Sequence, residues 1–63
     1  MCLSKVFLQK ESQKELMMED VSAVKIEGEK LLFSSLFGEQ KEINASITQI
    51  DFTTHSIMLV PNA

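Results

Sequence analysis

Apolar residues occur along this chain in short runs separated by polar turns, a pattern typical of β-strands. The segments that predict strands are 2–8, 15–19, 21–26, 31–36 and 57–60. The polar stretch from Gln9 to Gln13 follows the first of them, and residues 10–13 are expected to form an exposed loop. Asp20 separates the second segment from the third. With turns every eight to twelve residues, the pattern predicts five or six short strands.

The clearest hairpin signal lies at residues 21–36. Its turn, residues 27–30, contains Gly28, which can adopt the positive φ that tight hairpin turns need. The apolar residues 31–33 then read as the return strand. Gly38 follows the end of that strand and again lies between two apolar segments.

Residues 39–52 allow two interpretations. Apolar positions alternate in two opposite phases, with Ile43, Ala45 and Ile47 in the first and Ile50 and Phe52 in the second. A single β-bulge near residues 48–49 would reconcile the two phases. Positions 43, 47 and 50 also fit one face of a helix. The strand interpretation is favoured because β-branched residues are frequent here.

Pro61 is expected to stop the last strand, because proline has no N–H to donate to a neighbouring strand. Asn62 and Ala63 are expected to fray. The complete pattern predicts an all-β fold, either a small sandwich or a partly closed barrel, with residues 1–63 as a single domain.

The chain has 63 residues, and so small a core barely offsets the ~1.5 kcal/mol per residue that ordering costs. Cys2 is the single cysteine, which excludes an intrachain disulfide as the missing stabilisation. Dimerisation, metal binding or both are therefore expected. Leu3 and Val6, apolar residues of the first strand, are predicted to contact the second copy.

Charge and composition bear on partners and compartment. The net charge is −3, there is no arginine, and Trp and Tyr are absent, all of which disfavours nucleic-acid binding. No apolar run approaches the ~20 residues of a membrane helix, and no secretory signal pattern occurs. A lone free cysteine suits a reducing compartment, so the protein is expected to be cytoplasmic.

The sequence does not predict an enzyme. It contains no phosphate-binding glycine loop, no HExxH and no GxSxG. His55 is the one histidine and is interpreted as a surface turn residue. Met17, Met18 and Met58 lie within apolar runs, where methionine ordinarily fills gaps in a core.

Cys2 is the residue whose position suggests chemistry. A free cysteine is commonly a small buried hydrophobe at a strand start. At position 2, however, its thiolate can form a five-membered chelate with its own backbone nitrogen, and the Met1 α-amine can close a second ring. Such nitrogen and thiolate donors suit square-planar Ni(II) or Cu(II). A two-fold axis at the strand start would bring two Cys2 side chains together and complete four donors.

Four segments together carry a resemblance to a known family: MCLSKV at residues 1–6, LMMEDV at 16–21, IEG at 26–28 and LFGE at 36–39. In this order they resemble the CooT family, small bacterial and archaeal proteins described as nickel-binding, many of them labelled predicted RNA-binding proteins. The resemblance runs from Met1 to about Val60. It implies an SH3-like, partly open barrel of five to six short antiparallel strands. It also implies a homodimer that binds Ni(II) through Cys2, and a nickel-chaperone role in maturing carbon monoxide dehydrogenase.

The sequence therefore predicts one nickel ion held between two subunits, with Cys2 and Met1 as the metal ligands. Two other functions remain open at this point. One is a small RNA-binding module, which the family's older label and the SH3-like fold suggest. The other is a structural or regulatory interaction domain in which Cys2 binds no metal.

Overall fold

Six β-strands and their connecting turns make up residues 3–62, the part of the chain that this computed structural model describes. The strands are β1 (Ser4–Lys10), β2 (Gln13–Glu27), β3 (Lys30–Ser35), β4 (Gln40–Ile43), β5 (Ala45–Asp51) and β6 (Ser56–Pro61). The all-β prediction is confirmed. The helical alternative for residues 39–52 is wrong, since that segment forms β4 and β5.

All six strands belong to one mixed sheet with the order β4-β3-β2-β1-β6-β5. Every neighbouring pair is antiparallel except β1 and β6, which run parallel from the Lys5–Ser56 pair to the Leu8–Leu59 pair. The sequence predicted antiparallel strands throughout, and the parallel β1–β6 pair is the difference. It arises because β6 returns to the far side of β1 after four intervening strands, a long-range pairing that no local turn specifies.

The sheet curls into a partly open barrel. β3 and β5 approach each other across the interior, and β4 and β5, the two terminal strands of the sheet, are joined only by Asn44.

The core fills the concave side and consists of Val6, Leu8, Met18, Val21, Leu31, Phe33, Ala45, Ile57 and Leu59. Val6 has no exposed surface. The prediction that Val6 is an exposed dimer contact is therefore wrong, because the alternation along β1 turns it into the core between β2 and β6.

β2 is one continuous strand, although the sequence indicated a new segment at Asp20. Its pairing with β1 shifts register near Met17 and again near Asp20, where Asp20 adopts a φ of 54°. β-bulges of this kind bend a strand without ending it. The first half of β2 consequently pairs with β1 and the second half with β3, from Val21 onward.

The turns were predicted with mixed success. Gly28 has a φ of 60° in the turn between Glu27 and Lys30, which confirms the hairpin at residues 21–36. The loop expected at residues 10–13 is shorter, since the strands extend to Lys10 and Gln13 and leave only a two-residue turn. Polar side chains there belong to exposed strand positions and not to an irregular loop.

The bulge predicted near residues 48–49 is present, as the β5–β6 register shifts between Ile47 and Gln49. The tail differs from expectation. Asn62 was predicted to fray, but it is half-buried, and its side-chain NH₂ donates to the Glu29 carbonyl at 2.8 Å and to Asn44 Oδ1 at 2.6 Å. The Ser46 hydroxyl donates to Asn62 Oδ1 at 2.6 Å. Through these three hydrogen bonds, the Asn62 side chain holds the end of β6 against two turns. Ala63 lies outside the described residues.

Candidate functional site

The two predicted metal ligands, Met1 and Cys2, lie outside the described residues, so the site is defined by what surrounds the start of β1. Ser4 is opposite Val21 of β2, and Lys5 is opposite Ser56 of β6. The Lys5 N–H also donates to the His55 carbonyl oxygen at 2.9 Å. The chain segment that follows Cys2 therefore enters the sheet between the second half of β2 and the turn that precedes β6.

That turn, residues 52–55, is organised by Asp51. Its Oδ1 accepts hydrogen bonds from the Thr53 hydroxyl at 2.5 Å, from the Thr53 N–H at 2.9 Å and from the Thr54 N–H at 3.3 Å. These bonds, led by that of the Thr53 hydroxyl, lower the pKa of the Asp51 carboxyl, because they favour the charged form. The turn holds Phe52 with 80% of its surface exposed and His55 at a φ of 55°.

A shallow cleft of about 220 Å³ lies beside the start of β1. It separates the second half of β2 from β5, and its lining residues are Ser4, Val21, Ser22, Ala23, Val24, Ile50, Phe52 and Ile57. No charged side chain is among them. Ile50 is 45% exposed at its rim. We call this surface the N-terminal cleft.

A larger cleft of about 340 Å³ opens at the other end of the same gap, beside Gly28. It is bordered by Ile26, Ile47 and the fastened Asn62. This larger cleft lies at the Gly28 end of β2, whereas the N-terminal cleft contains Ser4, which is two residues after the predicted ligand Cys2. The N-terminal cleft is therefore the candidate site that adjoins the predicted ligands. The volume of a cleft does not identify a metal site, because the donor atoms around one ion occupy only a small space.

The described part of the chain offers no competing metal site. No group of three or more His, Cys, Asp or Glu side chains within residues 3–62 is arranged to hold an ion. His55 is an exposed turn residue, as predicted from the sequence. Met18 is buried in the core and Met17 packs against it, which agrees with their interpretation as core residues.

The described lysines are mostly held by neighbours on the barrel surface. Their partners are Glu15 for Lys10 at 4.0 Å, Glu27 for Lys25 at 3.4 Å, Glu42 for Lys30 at 3.9 Å, the Met17 carbonyl for Lys41 at 3.0 Å and the Phe7 ring for Lys14 at 4.8 Å. These five interactions are distributed over β1, β2, β3 and β4. Each of these lysines would have to exchange its present partner for a phosphate in order to bind a nucleic-acid backbone.

Sequence reasoning missed the N-terminal cleft. Ile50 and Phe52 were recognised as apolar alternating positions, but alternation does not distinguish a core position from an exposed one. The available signal was the location of Phe52 in a polar segment, between Asp51 and Thr53. An aromatic residue in such a turn has no strand neighbours on either side to cover it.

The fold defines a class: a small, partly open β-barrel of six strands. A family model described as "CO dehydrogenase accessory protein CooT" matches residues 1–60. The chain belongs to the CooT family. Members of this family are accessory proteins to an enzyme and are not themselves catalysts.

Two individual proteins illustrate the similarity. The crystal structure of a protein assigned as CooT from Carboxydothermus hydrogenoformans superposes with a TM-score of 0.92 at 29% identity, over 98% of this chain and 100% of that one. An uncharacterised protein of Methanocaldococcus jannaschii is 40% identical over 45 residues, which are 71% of this chain and 79% of that protein. The described residues include no helix of the length and apolar character needed to span a bilayer.

Proposed function

We propose that this protein is a nickel carrier: a homodimer that holds one Ni(II) ion between its subunits through the Cys2 thiolate of each chain. The observation that carries the proposal is the family assignment over residues 1–60, which spans the only cysteine of the chain. Ni(II) is the cargo in this function. The recipient would be a nickel enzyme, carbon monoxide dehydrogenase, which the family description connects with these proteins.

The donor chemistry of the N-terminus fits this cargo. A thiolate, the adjacent backbone nitrogen and the Met1 α-amine are donors that a square-planar ion prefers. One chain contributes a single sulfur, so a site with two thiolates needs a second copy. The described residues add no group of acidic, histidine or cysteine side chains that would compete for the ion.

An N-terminal site also suits the transfer of a metal. The start of β1 lies at the rim of the sheet, beside the N-terminal cleft. Ligands at such a rim can be exchanged stepwise for those of a recipient without unfolding the core. We further propose a cytoplasmic location, since a free thiol that must bind metal has to stay reduced.

RNA binding, the alternative function, has weaker physical support. The net charge is −3, and the lysines bound to neighbours would have to exchange those contacts for phosphates. Binding through phosphates weakens steeply as salt rises, because counterions are released. An RNA titration in two salt concentrations therefore separates the two functions.

The test is a nickel titration of the purified protein, followed by thiolate-to-metal absorption bands and by mass measurement under native conditions. We expect one Ni(II) per two chains, in a species of twice the 7.1 kDa chain mass. One ion per 7.1 kDa monomer, or binding without thiolate bands, would contradict the proposal. Salt-sensitive RNA binding without nickel binding would favour the alternative.

A further inference from the structure

Two large apolar side chains are exposed next to each other in the turn between β3 and β4. Leu36 is 55% exposed and Phe37 is 76% exposed. We call residues 36–39 the Phe37 turn. Neither side chain belongs to the core, which other residues form on the concave side of the sheet. Contiguous exposed apolar surface of this kind marks an interaction site more often than scattered apolar residues do.

Hydrogen bonds hold the Phe37 turn in one shape. Ser35, which is buried at the end of β3, accepts bonds on its Oγ from the N–H groups of Phe37 and Glu39, both at 3.1 Å. The Ser35 N–H donates to the Glu39 carbonyl at 2.9 Å, and the Ser35 carbonyl accepts from the Gly38 N–H at 3.2 Å. A turn closed by these bonds has little conformational freedom left to lose, so binding through it costs less free energy.

The Phe37 turn is surrounded by carboxylates. Glu39 belongs to the turn itself. The Leu36 N–H donates to the Asp20 carbonyl oxygen at 2.9 Å, which places Asp20 and the adjacent Glu19 beside the turn. All three acidic residues are exposed, and none of them forms a salt bridge within residues 3–62.

The charge around the Phe37 turn restricts what can cover it. Lys41, the lysine nearest to the turn in sequence, donates to a main-chain carbonyl of β2 at 3.0 Å, so three carboxylates there face one ammonium group. A second copy of this chain has the same excess of negative charge, and two copies joined here would place like charges opposite each other. A complementary partner presents an apolar pocket whose rim carries lysine or arginine side chains.

The Phe37 turn also lies close to the N-terminus. Ser4 and Ser35 both pair with Val21, one from each side, so they are two strand spacings apart, about 10 Å. Two residues of chain span at most about 7 Å, which puts the Cα atoms of Cys2 and Phe37 within about 24 Å of each other. A standard interface covers about 800 Å² of each partner, a patch roughly 30 Å across. One such interface can therefore include both the Phe37 turn and the N-terminus.

We propose that the Phe37 turn is the surface through which this protein docks on the enzyme that receives its nickel. Leu36 and Phe37 enter an apolar pocket of that enzyme, and Glu19, Asp20 and Glu39 meet basic side chains at its rim. The inference rests on the proposed function, because a carrier has to bind its recipient before the ion moves. The apolar contact supplies affinity, and the carboxylates raise the rate of association.

The experiment measures the activation of nickel-free carbon monoxide dehydrogenase by the nickel-loaded protein. The initial rate of activation is recorded against carrier concentration for wild type, Phe37→Ser and Ile26→Thr. Ile26 is 66% exposed at the Gly28 end of the barrel, and threonine keeps the branched shape that a strand favours, so this variant is the matched control. We expect Phe37→Ser to raise the concentration that gives half the maximal rate by about tenfold or more, and Ile26→Thr to change it less than about threefold. Leu36→Ser is the second variant if circular dichroism shows that Phe37→Ser does not fold.

The contribution of charge is tested with Asp20→Asn combined with Glu39→Gln. Asparagine tolerates the left-handed conformation as aspartate does, so the φ of 54° at position 20 is retained. Activation by wild type should slow as ionic strength rises, because salt screens the attraction between exposed charges. The double variant should be slower than wild type at low salt and should depend less on salt. An identical salt dependence of the two proteins would overturn the basic rim, and the inference with it.

Nickel titration and sedimentation equilibrium of each variant separate this inference from the proposed function. All variants should bind nickel as wild type does, because no residue of the Phe37 turn is a ligand. Equal half-maximal concentrations for Phe37→Ser and wild type would overturn the inference and leave the nickel carrier standing. Weakened self-association of Phe37→Ser would also overturn it, since a second copy would then cover the turn. A wild-type protein that binds no nickel, or that leaves the nickel-free enzyme inactive, would overturn the proposed function and the inference together.

Discussion

The main-chain N–H of Lys5 donates a hydrogen bond to the carbonyl oxygen of His55 at 2.9 Å. This bond joins the start of β1 to the end of the turn that precedes β6, where the parallel β1–β6 pairing begins. The only histidine of the chain therefore belongs to the same end of the sheet as the segment that follows Cys2. His55 is the most informative control for any ligand assigned to the N-terminus.

Cys2→Ser is expected to abolish nickel binding and to leave the fold intact. A hydroxyl oxygen is a far poorer donor than a thiolate for Ni(II). Calorimetric nickel titration measures the loss, and far-UV circular dichroism checks the fold. His55→Ala should change the nickel affinity no more than two- to threefold, since surface substitutions alter energies by about 0.5 kcal/mol or less. Nickel binding that survives Cys2→Ser, or is lost in His55→Ala, would place the site elsewhere.

The nickel affinity of the unmodified protein should fall as pH falls. A cysteine must lose its proton to bind, and an unperturbed thiol has a pKa of about 8.5. Well below that value, each bound thiolate lowers the apparent affinity by about tenfold for every unit that the pH falls, so paired Cys2 thiolates predict a loss that approaches about a hundredfold per pH unit. Titrations at three pH values between 6 and 8 (about one unit apart) measure this slope. An affinity that does not change with pH would show that thiolates are not the ligands.

The features predicted correctly from the sequence are local ones. The Gly28 turn depends on a glycine in a left-handed conformation, and the bulge near residues 48–49 follows from the phase change between Ile47 and Ile50. Each is determined by residues that are close in sequence. The family resemblance added the SH3-like barrel, which periodicity alone left open against a sandwich.

The features that sequence reasoning missed depend on distant partners. The parallel pairing of β1 with β6 joins segments about fifty residues apart, and it is this neighbour that helps to bury Val6. Asn62 is ordered by Glu29 and Asn44, neither of which is near it in sequence. The N-terminal cleft escaped notice for the same reason, because its lining residues come from β1, β2, β5 and β6, which are distant in sequence.

Phe33→Ala is expected to destabilise the protein by about 3–5 kcal/mol, the usual cost of removing a buried phenylalanine side chain. Phe33 has no exposed surface and lies in β3 between β2 and β4. A loss of this size approaches the entire stability of a small domain. Urea unfolding measures it. Phe37→Ala is the matched control and should cost less than about 0.5 kcal/mol, since Phe37 is 76% exposed. Equal effects of the two substitutions would contradict the assigned core.

Asn62→Asp tests the fastening of the chain after β6. The substitution keeps an oxygen for the Ser46 hydroxyl but replaces the NH₂ donor by an oxygen that faces the Glu29 carbonyl and Asn44 Oδ1. We expect a loss of about 1–2 kcal/mol in the free energy of unfolding, typical of hydrogen bonds whose acceptors lose their donor. Asn62→Ser, which removes the contacts without adding charge, is the comparison. An unchanged stability in Asn62→Asp would mean that the tail is not held by this side chain.

Asp51→Ala should destabilise the turn at residues 52–55 in a pH-dependent manner. Hydrogen bonds from Thr53 and Thr54 lower the pKa of the Asp51 carboxyl below its ordinary value of 3.8, so the folded state binds this proton less readily than the unfolded state. The stabilisation is therefore present above the ordinary pKa and is lost as pH falls through the lowered one.

Urea unfolding of wild type and Asp51→Ala between pH 2 and pH 7 measures this contribution. The difference in unfolding free energy should be constant near neutral pH and should shrink as the pH falls below the ordinary carboxyl pKa of 3.8. Thr53→Val removes the hydroxyl donor, the largest cause of the shift, and keeps the N–H donors, so it should show a smaller part of the same effect. A stability difference that is independent of pH would show that the ionised carboxylate does not organise the turn.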